Sequence, residues 1–135
     1  MNKASESEAV YRENDSEKHK GSNIDYGKPM NSKEAGHPFE MCVATISAGM
    51  ALCGYHSHMT QWEFYYVLSG SGYVRLKEGN VPITKGDAMM CPPVEAHQIV
   101  NDGDVNLVVQ IIATNPLFDA CFYPDSNTWG LAGPG

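Results

Sequence analysis

The sequence predicts an all-β domain, an antiparallel sandwich or small barrel, preceded by a polar N-terminal arm. Three observations carry that expectation. About eight short runs of β-branched and aromatic residues follow one another, with turn signals roughly every eight to twelve residues. No stretch has the apolar periodicity of an amphipathic helix. One segment, GYHSHMTQWEFYYVLSG over 54–70, combines a β-rich core pattern with two histidines and a glutamate.

Residues 1–22 are polar and of mixed charge, with almost no apolar side chains beyond Val10 and Tyr11. Such a segment buries too little surface to offset the entropy of ordering it, which predicts a flexible arm. A single domain is expected over 23–135. Gly27, Pro29, Gly36 and Pro38 break its first part, which is expected to wrap the surface. Met41–Ser47 reads as the first strand and Ala51–His58 as the second. Trp62–Leu68 follows, then the turn Ser69-Gly70-Ser71-Gly72. In Tyr73–Lys77 the side chains alternate, so Tyr73, Arg75 and Lys77 share one face and Val74 and Leu76 the other. Val81–Thr84 contains Pro82 and belongs at an edge or a strand start. Ala88–Cys91 is a short buried run. Pro92-Pro93 forces an extended loop, and His97–Val100 and Val105–Ala113 complete the set. Beyond Asn115 the chain is rich in Pro, Gly and Asp but keeps Leu117, Phe118, Phe122, Tyr123 and Trp129, so it is expected to pack back onto the domain.

Composition narrows the function classes. The net charge of −7 and a pI near 5.0 argue against nucleic acid or an anionic membrane as partner. No apolar run approaches the roughly 20 residues of a membrane-spanning helix, and the N-terminus lacks the apolar stretch of a secretory signal, so a cytoplasmic location is expected. Cys42, Cys53, Cys91 and Cys121 form no C-x-x-C pair and read as buried free thiols. Several strands are apolar on both faces, and a barrel buries only one. A homodimer is the economical cover, with the C-terminal segment or part of 22–39 as the alternative. Trp62 and Tyr66 are expected in the core or in that interface.

His56 and His58 are two apart and share a face on a strand. With Glu63 they make a partial ligand set for a divalent transition metal inside the domain. Tyr65 has the parity of Glu63 and should point inward, where its hydroxyl is a candidate proton donor or substrate hydrogen bond; a packed aromatic is the alternative. Arg75, the one arginine of the β domain, is a candidate for binding a substrate carboxylate or phosphate, although its alternation equally fits a solvated face. His37 is read as an exposed loop residue and Asn101 as a turn former.

Two stretches together resemble the cupin superfamily. His56-Ser57-His58, Glu63 and Gly70 match the first cupin motif from its histidines onward, with Gly49 one residue off the place of its leading glycine. Gly86, Pro92, His97 and Asn101 match the second, in which Val94 stands where a glycine is usual. The resemblance covers roughly 41–113 and extends to small single-domain relatives with a Tyr-Pro-Asp-Ser segment, here Tyr123–Ser126. It implies a double-stranded β-helix, or jelly roll, holding one divalent ion (Fe, Mn, Zn, Ni or Co) on His56, His58, Glu63 and His97. Such sites serve dioxygenases, decarboxylases, lyases and isomerases. The expectation is thus a metal-dependent enzyme acting on a small polar molecule. The alternative is a non-catalytic module that binds or senses a sugar or small acid.

Overall fold

The computed structural model describes residues 17–19, 23–25 and 37–132, and no helix occurs among them. Twelve strands follow in chain order: β1 Glu17–His19, β2 Asn23–Asp25, β3 Phe39–Ile46, β4 Ser57–His58, β5 Glu63–Ser69, β6 Ser71–Leu76, β7 Gly79–Thr84, β8 Ala88–Cys91, β9 Gln98–Val100, β10 Leu107–Thr114, β11 Asp119–Tyr123 and β12 Thr128–Ala132. One sheet has the order β1-β2-β3-β10-β5-β8, and two smaller sheets run β7-β6-β9 and β12-β11-β4. Every pairing is antiparallel, and the whole is the expected double-stranded β-helix.

Side-chain alternation builds the interior. Ala44 and Ile46 of β3, Tyr65 and Val67 of β5, and Leu107, Val109 and Ile111 of β10 all face inward and are buried. Register stacks them in rows: Ile111 lies between Cys42 and Tyr65, and Val109 between Ala44 and Val67. Val74, Ile83 and Ile99 close the core from the β7-β6-β9 sheet. Toward one end of β10 the row changes character, because Ala113 stands opposite Glu63, which in turn pairs with Cys91. Small side chains flanking Glu63 leave room there for larger polar groups. Gly70, at the β5–β6 turn, has φ 83°. A Cβ at that position would lie 2.3 Å from the Asn106 carbonyl oxygen, so only glycine fits.

Three expectations are corrected. The continuous strand over 51–58 does not form. Ala51 and His56 make isolated bridges to Val100 and His97, Leu52 N–H donates to Ile99 at 3.0 Å, and only Ser57–His58 continues as strand. Cys53 and Gly54 leave the ladder, and the Gln98 side chain donates to the Cys53 carbonyl at 2.9 Å and satisfies it. Outside the barrel core two short strands extend the large sheet: β2 pairs with β3 and β1 with β2. An uncovered strand edge accepts any extended backbone whatever its side chains, which side-chain composition does not reveal. The rest of the arm lies outside the described residues. Cys53 is exposed and Cys42 and Cys121 are half-buried, so of the four free thiols only Cys91 is buried. His37 is half-buried, and its carbonyl accepts the Asn115 amide at 3.2 Å.

The C-terminal segment packs back as expected, and as a hairpin: β11 pairs with β12 on one side and with β4 on the other. It does not cover the outer face of the large sheet. Trp62 and Tyr66 are not in the core, and with Phe39, Met90 and Ile112 they remain exposed on that face. Register sets Ile112 between Met41 and Phe64, and Phe64 beside Met90, so the apolar band crosses four strands. A groove of about 480 Å³ runs along it, lined by Phe39, Trp62, Glu63, Phe64, Met90, Ile112 and Thr114.

Candidate metal centre

Three chain segments deliver four side chains to one point inside the barrel. The bridge between His56 and His97, with N–H···O bonds of 3.2 and 2.9 Å in both directions, places those two rings side by side, centroids 4.8 Å apart. His58, two residues on, brings its Nε2 to 3.2 Å from that of His56. Glu63 begins β5 and points its Oε1 into the group, 3.0 Å from His58 Nε2, 3.0 Å from His97 Nε2 and 3.9 Å from His56 Nε2. A transition metal about 2.0–2.1 Å from each donor requires neighbouring donors about 3 Å apart and opposed donors about 4 Å apart. The observed spacings fall in that range, so the residues fit a divalent ion. Three imidazoles and a carboxylate are a donor set for Fe, Mn, Co, Ni or Zn.

Each histidine is held from its far nitrogen. His56 Nδ1 donates to the Gly54 carbonyl at 2.8 Å, and His97 Nδ1 to the Glu95 carbonyl at 3.3 Å. His58 Nδ1 donates to Asp119 Oδ2 at 2.6 Å. A proton fixed on Nδ1 leaves the lone pair on Nε2, the atom that faces the cluster centre. Glu63 is held likewise, because the Tyr65 hydroxyl donates to its Oε2 at 3.0 Å and leaves Oε1 to the histidines.

The electrostatics follow from this crowding. Burial lowers the His56 pKa. Burial would lower His58 too, but hydrogen bonds and charge from Glu63 and Asp119 outweigh it and raise its pKa. At His97 burial is outweighed by the Cys91 and Glu63 side chains, and its pKa is pushed up to about 10. Burial would raise Glu63, yet hydrogen bonds from His58 and His97 hold its carboxyl well below the usual carboxylate range. Burial, then the Glu63 charge, pushes Tyr65 well above an ordinary phenol, so it keeps its proton and acts as a donor.

The spacing-derived candidates therefore converge, and Tyr65 joins them, its hydroxyl also 3.4 Å from His97 Nε2. Arg75 does not. It lies on the face of β6 opposite the buried Val74, with a bidentate pair to Asp125 at 2.7 and 2.9 Å and its guanidinium 4.0 Å from the centre of the Tyr55 ring. Asn101 is buried and structural: it donates to the Ile46 and Val105 carbonyls and accepts the Gly103 N–H, pinning the turn before β10. Sequence reasoning missed Asp119. Nothing in its local sequence marks it, since only the pairing of β11 with β4 brings it to His58.

Comparison with known proteins agrees with this arrangement. The model of the cupin domain matches residues 42–113, just over half of the chain. An oxalate-binding protein of Thermotoga maritima is 36% identical over 81 residues, covering 56% of this chain and 64% of that protein. An uncharacterized protein of Methanocaldococcus jannaschii is 39% identical over 54 residues, 40% of this chain and 43% of that one. The matched stretches thus span less than two thirds of either relative. Among solved structures, a candidate sugar phosphate isomerase of Acidithiobacillus ferrooxidans superposes with a TM-score of 0.67 at 26% identity, covering 83% of this chain and 76% of that one. A predicted oxalate decarboxylase of Thermotoga maritima gives 0.65 at 26% identity, covering 79% and 99%. With its two motifs, its jelly roll and its converging histidines, the chain belongs to the cupin family.

Proposed function

We propose that the chain is a metal-dependent cupin enzyme acting on a small polar acid, with one divalent ion held by His56, His58, Glu63 and His97. The observation that carries this reading is the approach of Glu63 Oε1 to the three histidine Nε2 atoms, at 3.0–3.9 Å, with those of His56 and His58 3.2 Å apart. A bound ion would supply Lewis-acid polarisation of a chelating substrate, or redox chemistry with dioxygen, as dioxygenases, decarboxylases, lyases and isomerases of this fold require. The chain's own residues do the rest. The histidines present unprotonated Nε2 atoms, Glu63 supplies the negative charge, and the Tyr65 hydroxyl orients Glu63 and is the candidate proton donor.

A small acid is favoured over a phosphorylated sugar. A phosphate calls for a guanidinium or ammonium group, and Arg75 is already committed to Asp125. Similarity to an oxalate-binding protein supports the same choice. One observation favours the second reading, a non-catalytic module that binds or senses the acid: the Tyr65 hydroxyl is already engaged by Glu63. We also propose a homodimer formed through the apolar outer face of the large sheet.

Substrate screening separates the two readings. The metal-loaded chain is mixed with oxalate, other small dicarboxylates, keto acids and β-diketones, with oxygen uptake and carbon dioxide release followed beside calorimetric binding. Turnover of an acid that is lost in Tyr65→Phe supports the enzyme. Binding without turnover across the panel supports the sensor, and neither binding nor turnover contradicts both.

A further inference from the structure

The matched cupin domain ends at residue 113, yet the side chain that orients His58 comes from beyond it. Along β11, Asp119, Cys121 and Tyr123 alternate on one face, and all three meet the histidines. Asp119 Oδ2 is 2.6 Å from His58 Nδ1, Cys121 Sγ is 3.3 Å from the same nitrogen, and the Tyr123 ring centre is 5.7 Å from that of His56. The Asp119 carboxylate is only 5% exposed. Its Oδ1 accepts the Thr60 N–H at 2.9 Å and lies 3.1 Å from the Thr60 hydroxyl, which is nearer the Phe118 carbonyl at 2.7 Å, so one oxygen anchors the carboxylate while the other faces His58.

We propose that Asp119 is a positioning residue of the metal centre, which makes the C-terminal hairpin a working part of the site. This rests on the metal reading above. A carboxylate on Nδ1 fixes the imidazole tautomer, aims Nε2 at the ion and makes that nitrogen a stronger donor. Loss of such a partner ordinarily weakens metal binding 10- to 100-fold. Neither Cys121 nor Tyr123 can substitute, because a thiol is a weak acceptor and the Tyr123 ring contacts a different histidine.

The test uses cobalt(II) as the probe, with apparent affinity measured by competition against a chromophoric chelator and the ligand-field absorption recorded alongside. Three variants of the full chain are compared with wild type. Asp119→Ala removes the acceptor. Asp119→Asn keeps its size but loses the negative charge and one of the two acceptor oxygens, so it cannot serve His58 Nδ1–H and Thr60 N–H together. Asp125→Ala alters the same hairpin through its Arg75 contact without touching a histidine. The expected result is a 10- to 100-fold loss of affinity and a shifted cobalt spectrum in both Asp119 variants, with Asp125→Ala within about twofold of wild type. Should Asp119→Ala fail to fold, Asp119→Asn decides alone. Wild-type affinity and spectrum in the Asp119 variants would overturn the assignment while leaving the metal centre standing, and so would an equal loss in Asp125→Ala. A wild-type chain that binds no cobalt would overturn the metal reading, and this assignment with it.

Discussion

Val94 is where this chain departs from the glycine usual in the second cupin motif, and it holds the backbone conformation that the glycine would serve. Its φ is 66°, a region costing a residue with a Cβ about 1–2 kcal/mol and a β-branched one at least as much. The strain is retained because the Val94 N–H donates to the His58 carbonyl at 2.6 Å, tying the Pro92-Pro93 loop to β4 beside the candidate metal centre. The side chain is 72% exposed and contributes little packing. Val94→Gly should therefore raise stability by about 1 kcal/mol, the relief of strain exceeding glycine's extra unfolded-state entropy of about 0.5–1 kcal/mol. Thermal unfolding of the metal-free chain checks this, and a lowered midpoint would contradict it. Residue-scale chemistry was legible where spacing along a strand encodes it: His56, His58 and Glu63 lie within one short segment. His97 was legible only through its motif. Asp119 was not, because its contact with His58 spans 61 positions and depends on which strand lies beside β4.

At the scale of elements, strands were readable where both faces are apolar or where alternation is strict, as in β5, β6 and β10. The segment 51–58 misled because bonding to its partner is interrupted, and a sequence pattern marks extended backbone without revealing where pairing lapses. β11 and β12 were hidden by the Pro, Gly and Asp of their surroundings, although their large apolar side chains announced that they pack. The apolar band on the outer face of β3, β10, β5 and β8 has its own consequence. Phe39, Trp62, Tyr66, Met90 and Ile112 together expose more contiguous apolar surface than isolated side chains would, which is the basis for the proposed homodimer. Sedimentation should give a mass twice the 14.8 kDa of one chain at micromolar concentration. Ile112→Glu, at the centre of the band, should shift it to one chain without loss of metal. A wild-type monomer, or a dimer indifferent to Ile112→Glu, would contradict this.

For the whole molecule, protons and the proposed metal would compete for the same atoms. In the metal-free chain His97, with its pKa pushed up to about 10, carries a second ring proton at pH 7, while hydrogen bonds and charge from Glu63 and Asp119 raise His58 and burial lowers His56. A metal binding at neutral pH must expel the His97 proton. Its apparent affinity should rise as pH rises from 6 toward 10 and fall in acid, by roughly tenfold per pH unit for each proton released. Titrations at pH 6, 7 and 8 check the slope, and an affinity independent of pH would contradict it. Because an ion bound only by the folded chain stabilises it, by about 2.7 kcal/mol at 100 times its dissociation constant, chelation should lower the melting temperature in step.

The central claim is that His56, His58, Glu63 and His97 form one metal centre, and elemental analysis of the chain purified without oxygen addresses it most directly. Wild type and His37→Ala, whose histidine lies outside the cluster, should each carry one divalent transition-metal ion per chain, and His58→Ala only a small fraction of that. A metal-free wild type after loading, or equal retention in His58→Ala and His37→Ala, would contradict the account.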